Sequence, residues 1–351
     1  MSKFFSEKYA ALTPYTPGEQ PQDMKYIKLN TNESPFPPSE RAIEGAIREA
    51  GRLQLYSDPE CTPLVEKLSS LYGVGKDEVI FTNGSDDILN FAFMAFCDEK
   101  TGAAFPDITY GFYPVFAKVN NIDYLEIPLR EDYTVDKEKF FGLGRTIFIA
   151  NPNAPTGIAL SLSDVEEIVA KNPDNVVVID EAYVDFGAES AVSLIPKYKN
   201  LLVTQTFSKA RSLAGGRLGF AIGNAELIRD LNTLRFSTNP YNINRMTMAA
   251  GVGVLEDEDY TRRNCKKIEE NREYTVEELL KLGFSVLPSK ANFVFAAPPS
   301  RNGGELYREL KRRGILVRYF DKPRLSEFVR ITIGSREQME ALINTLKEMQ
   351  I

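Results

Sequence analysis

The chain has 351 residues, 43% of them hydrophobic, with 42 Lys+Arg against 49 Asp+Glu and a net charge of −7. That length exceeds the size at which one core stops growing, so a large and a smaller domain are expected, and the interspersed acidic charge gives no electrostatic footprint for nucleic acid. The absence of histidine excludes Ser-His-Asp and Cys-His catalysis, histidine metal ligation and imidazole acid-base work, and the three scattered cysteines (Cys61, Cys97, Cys265) suit neither a disulfide framework nor a metal site.

Acid-base chemistry must therefore fall to a lysine, a tyrosine, a carboxylate or a cofactor. The N-terminus, MSKFFSEKYAALTPY, lacks the apolar core of a signal peptide, and no run approaches the ~18 apolar residues of a membrane span. A soluble cytoplasmic protein is expected.

Residues 1–38 read as a proline-rich arm ending in PFPPS, and Ser39 is a plausible N-cap for the helical pattern RAIEGAIREA. PLVEKLSSLY (63–72) reads as a helix stopped by Gly73, followed by a strand over 78–82 and the turn NGSDD. A glycine turn feeding a helix offers unpaired N–H groups to an anion, so Gly84 and Ser85 are candidates to cradle a phosphate. Asp86 and Asp87 fit equally well as residues that start the helix.

A strand over 103–106 precedes Tyr110, an aromatic placed to stack on a planar ring or simply to join the core. A buried strand over 146–150 runs into NPNAPTG, and another over 176–180 ends in DEAY. Ligands of open parallel sheets bind beyond the carboxyl ends of strands, where Asp180 could pair with a protonated pyridine nitrogen and Tyr183 could bond a ring hydroxyl. The other reading of DEAY is an acidic pair that starts a helix.

In LLVTQTFSKARSLAGGRLGFAIG (201–223), two apolar runs bracket Ser208, Lys209 and Arg217. A desolvated lysine near another cation is a usable amine nucleophile, suited to a Schiff base with pyridoxal 5'-phosphate (PLP), with the serine and arginine on its phosphate. A lysine capping an ordinary strand-to-helix turn is the alternative. Helices over 225–236, 246–255 and 260–282 follow. Beyond them a strand-strand-helix-strand-strand-helix pattern reads as an α+β domain, with Arg318 and Arg330 in strands where a pair could bind a carboxylate or phosphate.

The order of these features, with LTPYTPG, LNTNESP, LQLYSDPEC, TYGFY, DEAYVDF, TFSKARSLAGGRLGF, SKANFVF and VRITIGS, resembles the fold type I PLP-dependent aminotransferases, and within them the histidinol-phosphate aminotransferases. The resemblance spans nearly the whole chain. It implies an α/β fold with a mostly parallel seven-stranded sheet in a large PLP-binding domain (39–245). A small α+β domain (246–351) would pack with the arm (1–38).

It further implies that Lys209 holds PLP and shuttles the substrate proton, that Asp180 pairs with the ring nitrogen and Tyr183 with the ring oxygen, and that Tyr110 stacks on the ring. Gly84, Ser85, the Asp86 N–H, Ser208 and Arg217 would surround the phosphate, joined by Tyr56 from the other subunit of a homodimer. Arg330 would bind the substrate carboxylate or phosphate, helped by Tyr15 and Arg318. The family pattern carries asparagine directly before Pro-Thr-Gly; here that residue is Ala154, and Asn153 is nominated in its place. The implied reaction is transamination between L-histidinol phosphate and 2-oxoglutarate on small-molecule substrates, with no metal, membrane or nucleic-acid partner. Related alternatives are threonine-phosphate decarboxylase, an aromatic-amino-acid aminotransferase and a non-catalytic PLP-binding regulator.

Overall fold

The computed structural model describes residues 2–10 and 12–349; residues 1, 11, 350 and 351, which belong to the expected terminal segments, lie outside them. The chain opens with β1 (Ile27–Leu29), α1 (Glu40–Ala50), α2 (Thr62–Tyr72), β2 (Val79–Thr82), α3 (Ser85–Phe96), β3 (Ala103–Pro106), α4 (Tyr113–Val119) and β4 (Tyr124–Ile127). It continues through β5 (Thr146–Ala150), α5 (Leu162–Ala170), β6 (Val177–Asp180), β7 (Leu201–Thr206) and β8 (Gly219–Gly223). Three helices follow, α6 (Ala225–Thr238), α7 (Arg245–Leu255) and α8 (Glu258–Lys281). The last third holds β9 (Ser285–Val286), β10 (Phe293–Ala297), α9 (Gly303–Arg312), β11 (Ile315–Tyr319), β12 (Val329–Thr332) and α10 (Arg336–Glu348).

Among the described residues the larger sheet has seven strands in the order β2-β8-β7-β6-β5-β3-β4, with β8 alone running against its neighbours. This is the α/β architecture expected. β5, β6 and β7 are buried at every position, which is why β5 and the first three residues of β6 and β7 read as apolar or β-branched runs rather than alternating ones. The reversal at β8 follows from its connection: residues 207–218 leave β7 and return at the same edge, so Lys209 stays at the carboxyl end of the parallel strands.

The second sheet, β1-β11-β12-β10-β9, is antiparallel except for the β1–β11 pair. Part of the segment read as an arm is therefore a sheet strand, paired through Ile27, Lys28 and Leu29 with Ile315, Leu316 and Val317. The expected boundary at 245/246 falls at the start of α7, yet Met248, Ala250 and Val254 of that helix sit in the core cluster of the large sheet with Leu64 and Leu218. Sequence reading located α1 by its cap, and Ser39 Oγ does accept from Ala42 N. No helix among the described residues is long and apolar enough to cross a membrane.

Candidate active site

β5, β6 and β7 finish together, and their last residues, Ala150, Asp180 and Thr206, line one cleft of about 140 Å³. The rest of its wall comes from loops leaving those strands and β3 and from the first turn of α3. There the structure gathers Ser85, Asp86, Tyr110, Tyr183, Ser208, Lys209 and Arg217, with Ala154 and Ala182 between them.

One end of the cleft is built for an anion. α3 has no side-chain cap, so its first N–H groups lack intrahelical partners, and its N-cap Gly84 has φ 85°, a conformation glycine adopts freely. A Cβ on Gly84 would meet Arg217 Nη2 at 2.6 Å, and one on Gly219 would collide with the backbone of Ser85. The two glycines thus allow β8 and Arg217 to press against the α3 N-terminus. Ser208 Oγ is buried and has no hydrogen-bond partner among the described residues. Leaving a buried hydroxyl unpaired costs about 1–3 kcal/mol, so the geometry favours a ligand that can accept from it.

Arg217 Nη2 lies 3.0 Å from Asp86 Oδ2, and the other Asp86 oxygen accepts from the Tyr110 hydroxyl at 2.8 Å. Burial, reinforced by Asp86, drives the Tyr110 hydroxyl well above its ordinary range and keeps it a donor.

The opposite end is acidic. Asp180 is 5% exposed; its carboxylate accepts from Tyr113 Oη at 3.0 Å and from Ala182 N at 3.3 Å. Burial pushes its pKa up to about 7 against the stabilising hydrogen bond from Tyr113. Strand alternation sends the adjacent Glu181 to the other face. There Ser190 Oγ, Ala191 N and Gln205 Nε2 donate to it, and burial likewise raises it to about 7. The acidic pair therefore starts no α-helix but divides between cleft and core. Lys209 Nζ lies 3.3 Å from Thr31 O and 5.8 Å from the centre of the Tyr183 ring.

A buried acid, a lysine amine and an anion cradle with an orphaned hydroxyl fit a phosphorylated pyridine aldehyde such as PLP. Two sequence expectations need correction. Asn153 does not reach the cleft: Thr109 Oγ1 donates to its Oδ1 at 2.8 Å, and its Nδ2 donates to Ile108 O and Thr156 Oγ1. The amide is consumed in holding the 151–158 turn, and Ala154 presents a methyl group to the cleft instead. Arg318 does not line the cleft either; its guanidinium donates to the carbonyls of Thr16 and Pro17, and Tyr15 of the same arm packs on Phe112 with ring centres 4.2 Å apart.

Arg330 is tied through Nη2 to Asn30 O, while its Nε is buried without a partner among the described residues. Burial lowers its pKa, and Tyr183, Arg318, Tyr15 and Tyr110 are the charged or ionisable groups that bear on it. Tyr56 stands apart from the cleft, 79% exposed and stacked on Tyr241.

Sequence reasoning missed Tyr113 and Arg211. Tyr113 lay in the quoted TYGFY, but only a fold places it under Asp180. Arg211 is buried between Phe207 and Phe220 and paired with Asp185 at 3.3 Å, which fixes the loop carrying Lys209.

A histidinol-phosphate aminotransferase from Marinomonas sp. (strain MWYL1) is 50% identical over 99% of this chain and 100% of its own length. Another from Brachyspira hyodysenteriae is 47% identical over 99% of each chain. The fold matches the crystal structure of histidinol-phosphate aminotransferase from Sinorhizobium meliloti in complex with pyridoxal-5'-phosphate, with a TM-score of 0.89 at 22% identity over 100% of this chain and 98% of that one. Residues 24–346 match the family model described as aminotransferase class I and II. On that match and the full-length relatives, the chain belongs to the class I and II aminotransferases.

Proposed function

We propose that the cleft holds PLP and that the chain transfers the amino group between L-histidinol phosphate and 2-oxoglutarate. The observation that carries the cofactor reading is the orphaned, buried Ser208 Oγ beside Lys209 and Arg217, facing the α3 N-terminus. The full-length identity with histidinol-phosphate aminotransferases supports the substrate. Bound there, PLP supplies an electron sink for breaking the bond between the substrate Cα and its hydrogen.

The remaining work belongs to the chain's own groups. Ser208, Arg217 and the N–H groups of Ser85 and Asp86 would hold the phosphate. Asp180 would pair with the ring nitrogen and favour a proton on it. Lys209 would move the proton at the substrate Cα, and Tyr183 would donate to the ring oxygen. Arg330 binds the substrate carboxylate in one half-reaction and its phosphate in the other, so that binding energy far from the reacting carbon orients it.

Replacing Arg330 with Gln should raise KM for glutamate and for L-histidinol phosphate alike, each by roughly 10- to 100-fold, the worth of a charged hydrogen bond. An effect on one substrate alone would refute dual recognition. Release of aminopropanol phosphate from L-threonine phosphate, without amino transfer, would make the chain a decarboxylase instead.

A homodimer is part of this reading. Ile43, Ile47, Leu53, Leu55, Tyr56 and Tyr241 are exposed large apolar side chains from 43–67% exposed, or 79% for Tyr56, on α1, the segment after it and the turn before α7. Such a surface fits a second copy that brings Tyr56 to the neighbouring phosphate site. Sedimentation of the purified chain should give twice the 39.4 kDa chain mass, and the Ile47→Glu/Leu53→Glu variant should sediment as a monomer with weakened cofactor binding. A wild-type monomer with full activity would exclude the shared site.

A further inference from the structure

Three tyrosine hydroxyls lie about the cleft, and two of them are already committed. Tyr110 donates to Asp86 and Tyr113 donates to Asp180. Tyr183 differs: its hydroxyl accepts, at 2.9 Å, from Nδ2 of Asn32. With a lone pair taken and no acceptor for its proton among the described residues, the hydroxyl is left to donate into the cleft. Across from it Ala154 contributes only a methyl, and Asn153 is turned away.

Asn32 is itself held on every side. It is 1% exposed and sits in the left-handed region at φ 56°. Its backbone N–H donates to Thr332 Oγ1, and that hydroxyl donates to Asn32 Oδ1, both at 3.0 Å. Oδ1 therefore faces Thr332 and Nδ2 faces Tyr183. The carbonyl of Asn32 accepts from Asn292 Nδ2 at 3.0 Å. Thr332 ends β12 and Asn292 precedes β10, so the small sheet fixes the amide that bonds a phenol of the large one.

We infer that Asn32 is a positioning residue that turns the Tyr183 hydroxyl proton into the cleft, towards the ring oxygen of the cofactor. The inference rests on the PLP reading above. A hydroxyl donating to the ring oxygen stabilises negative charge there and lowers the pH at which the neighbouring Lys209 nitrogen gives up its proton. Asp180 and Glu33, both charge-coupled to Lys209, and Arg330, coupled to Tyr183, also bear on this titration and are common to all the forms compared.

The test is the pH titration of the visible absorption of the cofactor-loaded protein in four forms: wild type, Asn32→Gly, Tyr183→Phe and the double variant. Glycine accepts φ 56° and removes only the side chain. Asn32→Gly should move the midpoint upward by roughly one pH unit, the worth of one charged hydrogen bond. In the Tyr183→Phe background the same change should add nothing, because Asn32 then has no hydroxyl to orient. Should Asn32→Gly fail to fold, Thr332→Val removes the hydroxyl that aligns the amide and should shift the midpoint in the same direction. An unmoved midpoint in the single variants, or an equal shift with and without the Tyr183 hydroxyl, overturns the inference. A wild-type chain that takes up no cofactor would refute the PLP reading itself and this inference with it.

Discussion

Lys209→Ala should leave a folded protein with no measurable amino transfer. Among the described residues the amine bonds only Thr31 O, at 3.3 Å, and lies 5.8 Å from the centre of the Tyr183 ring, while the loop around it is fixed independently by Arg211, Asp185 and the backbone bond from Leu213 N to Phe207 O. Its loss therefore removes little packing, and the melting temperature should stay within a few degrees of wild type. Turnover should fall by at least about 10⁴-fold, because no histidine exists to move the Cα proton in its stead and the nearby tyrosine hydroxyls are committed or poor bases. The phosphate cradle of Ser85, Ser208 and Arg217 is untouched, so the variant should still bind the cofactor without covalent attachment. Retained turnover, measured as 2-oxoglutarate-dependent loss of histidinol phosphate, would contradict the assignment of Lys209.

Asp180→Asn should act in opposite directions on stability and on rate. In the unloaded chain burial holds the Asp180 carboxyl at about 7 against an ordinary 3.8, so the folded state binds more protons than the unfolded one between those values. The stabilising contribution is complete below the lower value and is lost as pH rises through the upper one. The cofactor-free protein should thus weaken between pH ~4 and ~7, and Glu181, raised to about 7 for the same reason, should add to the slope. Asparagine cannot ionise, so thermal unfolding of the cofactor-free variant should show a shallower pH slope than wild type, with the remainder traced to Glu181 by Glu181→Gln. Amino transfer in Asp180→Asn should fall on the order of 10³-fold, the cost of leaving a buried ring nitrogen without its ion partner. A cofactor-free variant as pH-sensitive as wild type would show that Asp180 is not the titrating group.

The strands that build the cleft floor were legible because full burial opens each with a short run of apolar and β-branched residues: Thr146–Ala150 before Asn151, residues 177–179 before Asp180, and residues 201–203 at the start of β7. The anion end was legible through local chemistry, a positive-φ glycine followed by an uncapped helix. What escaped was set by distance in sequence. β1 is recognisable only once β11 lies beside it, and α7 joined the large core through contacts with Leu64 and Leu218 that no window spans. β4 is an edge strand with two exposed positions, and α5 is short and rich in β-branched residues, so neither has a strong period.

Side-chain direction was the other limit. Asn153 and Ala154 are neighbours, and nothing local to NPNAPTG tells which of them faces the cleft. Arg318 and Arg330 pair directly across β11 and β12, yet Arg318 turns to the arm carbonyls while Arg330 keeps a buried, unpartnered Nε. Tyr113 and Asn32 carry no signature of their own; each acts through a hydrogen bond to a residue at least 67 positions away.

The most direct measurement is the visible absorption of the cofactor-loaded chain as L-histidinol phosphate is added, followed by 2-oxoglutarate. The account predicts that the band disappears with the first and returns with the second, with one glutamate formed per site. A band left unchanged by L-histidinol phosphate, while another amino acid discharges it, would contradict the proposed substrate.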